Sequence, residues 1–294
     1  MRTPPRRLAR RLYQDRWAYL FLLPSLAFFS VFFLVPVAWG AVLSQLDYRA
    51  FGSRWVGLDN YRGVLSDWLF WRSLANNLYY AAGVVPLWLG KALFVAAVIF
   101  PFRKLFQNLY KTAFYLPHVT SAVIISLIWL WIYNPPFGLL NYILKTPGFA
   151  WLGNTLTAMP ALIAMQVIMG GGSTIVLISA AMGSIPGDYY EAAQIDGATK
   201  VQQFVRITLP LLKPTLLYLL VMGTISSFQV FTNVYLMTRG GPQFSTITIG
   251  YLIYETAFTY YEFGAASAMA MVLFAIVFAV AVVQFRWLSS DVEY

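Results

Sequence analysis

The stretch Glu191-Ala-Ala-Gln-Ile-Asp-Gly-Ala198, followed by Ile207-Thr-Leu-Pro210, lies between two long apolar runs of this 294-residue chain. It contains charged side chains and a glycine, whereas the runs on either side are almost entirely apolar. A segment of this composition does not cross a bilayer, because charged groups are costly in the hydrocarbon core. We therefore predict that it lies on the membrane surface and offers a docking site to another protein.

Local signals divide this stretch into two short helices. Asp188 can cap a helix that starts at Tyr189, with Glu191 at the third helical position, as in a capping box. Gly197 is expected to end this helix and to bend the chain. A second short helix is predicted to begin at about Lys200.

The composition of the chain indicates an integral membrane protein. Hydrophobic residues make up 60% of the sequence and charged residues only 11%, which leaves too little polar surface for a soluble domain. A helix needs about 20 apolar residues to cross a bilayer. The sequence therefore predicts an all-α polytopic fold with six transmembrane helices, the first of them an uncleaved anchor. The six runs lie at about 17–43, 73–100, 109–133, 156–182, 215–237 and 263–287.

Lys and Arg residues are unevenly distributed between the predicted loops. With the N-terminus inside, thirteen of them lie in the inner segments and six in the outer segments. Because positive charge favours the cytoplasmic side, we predict that residues 1–16, residues 191–210 and the C-terminus are cytoplasmic. The net charge of +9 needs no nucleic-acid partner, since attraction to anionic membrane lipid accounts for it.

Few groups in the predicted spans can carry chemistry. No span core contains an acidic residue, and Lys91 is the only basic one. For Lys91 we favour a side chain that snorkels or pairs near a helix end over an ion-coupling role. Gly90-Lys91 lacks the Ser or Thr of a phosphate loop, and His118 is the only histidine. We predict no catalytic, metal or ATP site in this chain, so that any transport draws its energy from another subunit.

Several stretches together carry a resemblance to a known family. They are the Glu-Ala-Ala, Asp-Gly-Ala and Ile-x-Leu-Pro pattern of residues 191–210, the Gly-Gly-Pro turn within 234–246, and the Asn-Pro-Pro-Phe-Gly-Leu-Leu-Asn of 134–141. From about residue 15 to residue 288 the chain resembles the carbohydrate-uptake branch of the ABC importer permeases. The resemblance implies the type I ABC importer permease fold in a single permease domain over residues 1–294. It also implies a cytoplasmic coupling helix within residues 183–213, which we call the coupling loop.

The same resemblance implies a function and a set of partners. The chain would be the transmembrane subunit of an ATP-driven, binding-protein-dependent carbohydrate importer in the inner membrane of a prokaryote. Its partners would be a second homologous permease subunit, two ATPase subunits that bind ATP and Mg, an extracytoplasmic solute-binding protein, membrane lipid and the carbohydrate. The chain itself is expected to hold no cofactor. The residues expected to couple it to the ATPase are Glu191, Ala192, Ala193, Asp196, Gly197, Ala198, Ile207, Leu209 and Pro210.

Two helical faces are candidates for contact with the substrate. One lies on the fourth span and one on the fifth, and each carries small or polar residues at helical spacing. As the resemblance implies, these positions match those at which the maltose permease contacts sugar, although small residues also pack membrane helices. Gln229 and Asn233 are further candidates, because a buried amide in lipid is costly without a partner. The candidates on the two faces are Gln166, Met169, Gly170 and Ser173, and Gly223, Ser227 and Val230.

Two other classes of protein remain open. A stand-alone secondary carrier has the same number of spans, although it has no use for a docking segment. A non-transporting membrane scaffold explains the docking segment, although it does not explain polar faces inside two spans. The aromatic residues Trp129, Trp131 and Tyr133 are predicted to form an interfacial belt, with a sugar-stacking role as the alternative.

Overall fold

A computed structural model describes residues 16–49 and 52–288. The predicted basic N-terminus therefore lies outside the described residues, except for Arg16 at the start of the first helix. Short π-helical segments continue three of the helices, at Ser30–Leu34, Phe204–Thr208 and Glu255–Thr259. The α-helices in chain order are α1 (Arg16–Phe29), α2 (Val35–Leu43), α3 (Asp59–Ser66), α4 (Trp68–Ile99), α5 (Lys104–Val119), α6 (Ala122–Ile132), α7 (Leu139–Leu144), α8 (Ala158–Met169), α9 (Gly172–Gly183), α10 (Asp188–Ile195), α11 (Lys200–Gln203), α12 (Leu209–Leu211), α13 (Lys213–Phe228), α14 (Thr232–Met237), α15 (Ile249–Tyr254) and α16 (Phe263–Leu288).

In the described part of the chain, four helices are long and apolar enough to cross a membrane, and two bent helix pairs bring the number to six if each pair counts as one span. Two of the runs are bent pairs, which the hydropathy of the sequence did not predict. The chain bends by 93° between α5 and α6 and by 48° between α8 and α9. The remaining four candidate spans are Tyr19–Leu43, Trp68–Ile99, Lys213–Met237 and Phe263–Arg286.

The described residues form two compact units, which contain different parts of the chain. The first consists of the residues up to Val64 together with Thr256–Met271. It contains an antiparallel hairpin of two strands, β1 (Leu46–Arg49) and β2 (Gly52–Trp55), in which Leu46 pairs with Trp55. The hairpin departs from the all-α prediction. It is held by Asn60, whose Nδ2 donates hydrogen bonds of 2.9 Å to the carbonyl oxygens of Ser44 and Leu46.

The second unit comprises Leu65–Glu255 and the residues from Val272 onward, and it is organised around the long helix α4. Helices α8, α9 and α13 all pack against α4. Two fully buried alanines, Ala92 and Ala96, lie in the core where α4 meets α9 and α13. Such small residues let membrane helices approach closely. This core also contains Ile175, Ile178, Met182, Leu212 and Leu219.

The predicted aromatic belt is wrong for two of its three residues. Trp129 is 7% exposed and Tyr133 is 3% exposed, so that both belong to the protein interior. The Tyr133 hydroxyl donates a hydrogen bond of 2.8 Å to the carbonyl oxygen of Ala161, which satisfies its polar end away from water. Only Trp131, which is 55% exposed, keeps the surface position that a belt requires.

Candidate functional site

A cavity of ≈ 430 Å³ opens within the second compact unit. Its walls come from α4, α5, the bent pair α8 and α9, and α13. Ligand cavities in proteins span roughly 300–1,000 Å³, so this one is large enough for a small polar organic molecule. Among the described residues that line it, none is Asp, Glu, Lys or Arg. Its polar lining residues include Tyr80, His118, Gln166, Ser173, Tyr218 and Ser227.

Six of the nine predicted substrate contacts line this cavity, so that the two predicted faces meet there. Of the other three, Met169 is half-buried and outside the lining, and Gln229 is exposed at the end of α13. Asn233 is 9% exposed and lies outside the lining as well. Contact with a substrate stays a prediction for all nine. The six lining residues are Gln166, Gly170, Ser173, Gly223, Ser227 and Val230.

Asn233 supports the cavity through another side chain. Its Nδ2 donates to Gln166 Oε1 at 3.3 Å, and its Oδ1 accepts from Ser126 Oγ at 3.1 Å. These bonds connect α14, α8 and α6. They give the buried Asn233 amide the partners that an apolar environment demands, and they fix one end of the Gln166 amide at the cavity wall.

Trp88 on α4 forms part of the cavity wall, and three glycines make room for its indole ring. A Cβ atom on Gly223 would lie 2.9 Å from Trp88 Cζ3, closer than such contacts allow. A Cβ atom would lie 3.3 Å from Trp88 Cδ1 at Gly170 and 3.1 Å from Trp88 Nε1 at Gly171. The six-membered ring of the indole therefore lies against α13, and its pyrrole edge lies against the bend between α8 and α9. Sequence reasoning missed Trp88, because nothing local distinguishes it within an apolar run.

Lys91 lies within α4, and its ammonium group pairs with the C-terminal end of α8, which agrees with the favoured interpretation that it pairs near a helix end. Its ammonium group donates hydrogen bonds to the carbonyl oxygens of Val167, Ile168 and Gly170, the last two at 3.1 and 2.6 Å. The last carbonyls of a helix have no partner within the helix. Lys91 supplies that partner at the bend between α8 and α9.

Two adjacent amides on α4, Asn76 and Asn77, hold the segments that follow α13. Asn76 Nδ2 donates to the carbonyl oxygen of Ile247 at 2.8 Å and to a second carbonyl of the same loop at 2.9 Å. Asn77 Nδ2 donates to the carbonyl oxygen of Phe228 at 3.0 Å, and its Oδ1 accepts from the backbone N–H of Ile249 at 2.8 Å. Sequence reasoning missed this pair, because it applied the cost of a buried amide only to the fourth and fifth spans.

The Gly-Gly-Pro segment ends a span, as predicted. Helix α14 stops at Met237, and Gly240 adopts a φ of +78° that a residue with a side chain rarely takes. The Gly241-Pro242 peptide is cis. Thr246 Oγ1 closes the turn with a hydrogen bond of 2.7 Å to the carbonyl oxygen of Gly241.

The earlier loop at 134–141 is organised by its last residue. Asn141 is 4% exposed, and its Nδ2 donates to the carbonyl oxygens of Pro135 and Phe149 at 3.0 and 2.9 Å. Its Oδ1 accepts from Trp151 Nε1 at 2.6 Å and from Thr146 Oγ1 at 3.2 Å. One buried amide thus ties together the whole loop from 134 to 151.

The first helix of the coupling loop, α10, differs from its prediction at the start. The helix begins at Asp188 itself, Gly187 occupies the N-cap position, and no side chain caps the helix, so the predicted Asp188 cap is wrong. Glu191 lies in the first turn, where its carboxylate interacts favourably with the helix dipole. The capping box instead begins α11, where Thr199 and Gln202 each bond the other's backbone N–H.

The predicted bend at Gly197 is confirmed. Gly197 has a φ of +78°. Its N–H donates to the carbonyl oxygen of Gln194 at 3.0 Å, and the N–H of Ala198 donates to the carbonyl oxygen of Ala193 at 2.8 Å. This pair of bonds is the Schellman ending of a helix. Of the predicted coupling residues, Glu191, Ala192, Asp196 and Gly197 are exposed, and Ala193, Ala198, Ile207, Leu209 and Pro210 are half-buried.

Side-chain hydrogen bonds join the two parts of the coupling loop. The hydroxyl of Tyr190 on α10 lies 2.8 Å from Oγ1 of Thr208, which is 3% exposed. Gln203 Nε2 donates to the carbonyl oxygen of Ala198 at 3.1 Å. The first bond holds α10 against the π-helical segment that precedes α12 and α13. The second holds α11 against the turn at Gly197.

The coupling loop is also anchored in the core beneath the cavity. Leu212 is fully buried in the core of α4, α9 and α13, and Phe204 packs against the same core. Leu219 belongs to this core and also lines the cavity. A continuous set of packed side chains therefore runs from the coupling loop to the cavity wall.

The outer surface of the coupling loop exposes apolar side chains. Ile195 is 87% exposed and Val201 is 72% exposed, and both lie close to the turn at Gly197. Tyr189 and Val205 are 54% and 51% exposed. We call these four residues the apolar patch. Exposed apolar side chains on a segment outside the predicted spans are candidates for contact with a partner protein.

The chain matches a family of known proteins over most of its length. The profile of the family described as "Binding-protein-dependent transport system inner membrane component" matches residues 91–294. The probable ABC transporter permease protein YesP of Bacillus subtilis (strain 168) is 35% identical, over 97% of this chain and 95% of the relative. The diacetylchitobiose uptake system permease protein NgcF of Streptomyces coelicolor is 36% identical, over 96% of this chain and 84% of the relative.

A solved structure has the same fold. It is the crystal structure of a bacterial ABC transporter involved in the import of the acidic polysaccharide alginate. The TM-score is 0.82 with 25% sequence identity, and the match covers 95% of this chain and 97% of the other. The overall fold of this chain is therefore one already known from a solved ABC transporter.

Proposed function

Because the chain belongs to the binding-protein-dependent transport system inner membrane components, we propose that it forms half of the path by which a carbohydrate enters the cell. One observation carries this proposal: residues on the fourth and fifth spans line a single cavity together with α4. The diacetylchitobiose permease and the alginate transporter are similar along nearly the whole chain, which supports a carbohydrate as the cargo.

The substrate contacts that we propose come from the cavity wall and from its supports. Gln166, Ser173 and Ser227 offer polar side chains to sugar hydroxyls, and Gly170, Gly223 and Val230 shape the space. Asn233 acts through Gln166. Met169 and Gln229 lie outside the cavity in this conformation and would contact sugar only in a different conformation. Transporters place substrate sites at such breaks in spans, because irregular backbone is tolerated where it lines a cavity.

Energy for transport comes, in this proposal, from two partner ATPase subunits that bind ATP and Mg. The coupling loop docks on an ATPase subunit through the apolar patch and through the exposed residues Glu191 and Asp196. A conformational change follows only if the two ATPase states contact the loop differently. The packed path through Phe204, Leu212 and Leu219 supports transmission of that change to the cavity.

The remaining partners and the orientation complete the proposal. A second homologous permease subunit forms the other half of the path, and an extracytoplasmic solute-binding protein delivers the sugar. The N-terminus, the coupling loop and the C-terminus face the cytoplasm, as the distribution of Lys and Arg indicates. Membrane lipid surrounds the exposed apolar helices α1 and α2, whose described side chains are almost all exposed.

Mass spectrometry of co-purifying proteins tests this proposal. The chain is tagged at its C-terminus and extracted from its own cells in mild detergent. We expect to recover an ATPase, a second permease and a solute-binding protein, in amounts that fall together when the detergent is made harsher. Recovery of this chain alone, active in transport without ATP, would show it to be a stand-alone carrier. Recovery of partners without any transport activity would indicate a scaffold.

A further inference from the structure

We propose that Trp88 is the platform on which an uncharged saccharide stacks in the cavity. The inference rests on the proposed carbohydrate import and specifies its cargo. The similar proteins leave the charge of the cargo open, because one takes up diacetylchitobiose and another imports an acidic polysaccharide. The cavity of this chain has features that distinguish between these two classes.

The first feature is how the Trp88 ring is held. Gly170 and Gly171 lie against its pyrrole edge and Gly223 lies against its six-membered ring, so that the indole spans the gap between the bend and α13. A methyl group at Gly223 would already collide with the ring at 2.9 Å. These neighbours support the Trp88 indole at opposite edges and so fix its orientation. The ring remains part of the cavity lining.

The second feature is the chemistry of an aromatic face. The face of an aromatic ring is electron-rich and attracts weakly positive hydrogens. A pyranose presents several C–H groups on one face and hydroxyls around its rim. A sugar stacked on Trp88 directs its hydroxyls toward the polar groups of the same cavity, among them Gln166, Ser173 and Ser227. Ligand sites combine aromatic walls with a few polar groups in this way.

The third feature is the charge of the cavity wall. None of the described lining residues is a Lys or an Arg. Lys91 is the cation on the same helix, one turn from Trp88, but its ammonium group already donates to the carbonyl oxygens of Val167, Ile168 and Gly170. Three donors on three acceptors leave none for a carboxylate. A carboxylate that enters the cavity loses water without gaining a cationic partner, which is unfavourable.

His118 is the one lining side chain that can take a positive charge. It lies on α5, and its ring is 5.5 Å from that of Tyr115. Stacking on Trp88 does not need it.

Matched probes test the charge of the cargo. The complex is purified with its partners, reconstituted into vesicles with ATP and Mg on the side of the coupling loop, and supplied with its solute-binding protein. The uncharged probes are diacetylchitobiose, maltotriose and the trimethyl ester of trigalacturonate, and the acidic probe is trigalacturonate itself. We expect ATP-dependent uptake of an uncharged probe and none of the acid. Uptake of the acid alone overturns the present inference and leaves carbohydrate import standing, whereas ATP-dependent uptake of neither class overturns both.

Two variants of one residue test the platform. Trp88→Phe keeps an aromatic face, and Trp88→Leu keeps an apolar side chain without one. Because Trp88→Leu removes the electron-rich aromatic face, we expect it to lower the sugar taken up per ATP hydrolysed by about tenfold. Trp88→Phe should lower it by no more than about threefold. ATPase stimulation by the binding protein should stay near the wild-type level in both.

The control is Trp131→Leu, since Trp131 is 55% exposed and does not line the cavity. It should transport like the wild type. Equal losses for Trp88→Phe and Trp88→Leu, or a parallel fall of uptake and ATPase stimulation, would mean that Trp88 only supports the fold. Thermal unfolding of each purified complex separates that result from a failure to assemble.

Discussion

The hydroxyl of Tyr190 lies 2.8 Å from Oγ1 of Thr208, across the glycine turn of the coupling loop. Tyr190 is on α10, which carries the exposed residues of the loop, and Thr208 ends the π-helical segment before α12. Because Thr208 is 3% exposed, this bond is sheltered from competing water. It therefore links α10, which carries the proposed docking residues, directly to the segment that precedes the fifth span.

Removal of this link should weaken coupling between ATP hydrolysis and transport. Tyr190→Phe and Thr208→Val each delete one hydroxyl, and a net hydrogen bond contributes about 1 kcal/mol. We expect each variant to lower the sugar taken up per ATP hydrolysed by about fivefold. The double variant should be no worse than either single one, because both remove the same bond. Losses that simply multiply would show that the two hydroxyls act independently.

Gly197 should tolerate substitution worse than a glycine of similar exposure. Its φ of +78° costs an L-residue about 1–2 kcal/mol, although a Cβ atom there would meet nothing within 4 Å. We expect Gly197→Ala to reduce transport severalfold and Gly197→Pro to abolish it, with the chain still inserted in the membrane. Gly187→Ala is the control, because Gly187 has a φ of −61° and equally open surroundings. Normal uptake and ATPase stimulation in Gly197→Pro would exclude a coupling role for the turn.

A charge in the apolar patch should release the ATPase. Ile195 is 87% exposed, so Ile195→Asp removes no packing from the fold and places a carboxylate in the proposed interface. We expect the recovery of co-purified ATPase to fall at least tenfold. Leu156→Asp serves as the control, since Leu156 is 81% exposed and far along the chain from the coupling loop. Undiminished ATPase recovery with Ile195→Asp would mean that the ATPase binds a different surface of this chain.

The positions of the apolar helices and of the glycine turn could be predicted from sequence, because both depend on local signals. A run of about 20 apolar residues identifies a span, and Gly197 identifies the end of α10 through its freedom at positive φ. The polar faces of the fourth and fifth spans could be placed by helical periodicity alone. The cavity therefore contains most of the residues that the two faces suggested.

The features that were missed depend on contacts between distant parts of the chain. Lys91 was expected to pair near a helix end, but its partner carbonyls lie 76 to 79 positions away and could not be identified from sequence. The bend between α8 and α9 has no signature in hydropathy. Asn77 bonds the backbone N–H of Ile249, 172 positions away. The position of the Trp88 ring depends on glycines at the bend between α8 and α9 and on a glycine of α13. Periodicity along one helix contains no information about which neighbour that helix meets.

Substitution of Gly223 by alanine should lower sugar uptake more than the same substitution at another helical glycine. A Cβ atom would lie 2.9 Å from Cζ3 of Trp88, so Gly223→Ala displaces the indole into the cavity. Overpacking of this kind costs about 1–3 kcal/mol, and we expect uptake to fall at least fivefold. Gly90→Ala is the matched control, because its Cβ atom meets nothing within 4 Å. Equal uptake by the two variants would mean that the space beside Trp88 is not used.

Lys91→Met should loosen the bend between α8 and α9. The substitution keeps an unbranched side chain, one atom shorter, but leaves the carbonyls of Val167, Ile168 and Gly170 without their donor. Hydrogen bonds to charged groups contribute about 1.5–3 kcal/mol each, so the unfolding temperature of the purified complex should fall by several degrees. Lys104→Met, at an exposed position, should leave it unchanged. An unaltered unfolding temperature in Lys91→Met would show that water replaces the ammonium group without cost.

Uptake into sealed vesicles would decide whether this chain imports a carbohydrate with energy from ATP. The purified complex is reconstituted with its solute-binding protein, and uptake of a panel of labelled sugars is followed with ATP and Mg or with a proton or sodium gradient. We expect uptake only when ATP, Mg and the binding protein are all present. Uptake driven by an ion gradient without ATP would contradict this expectation.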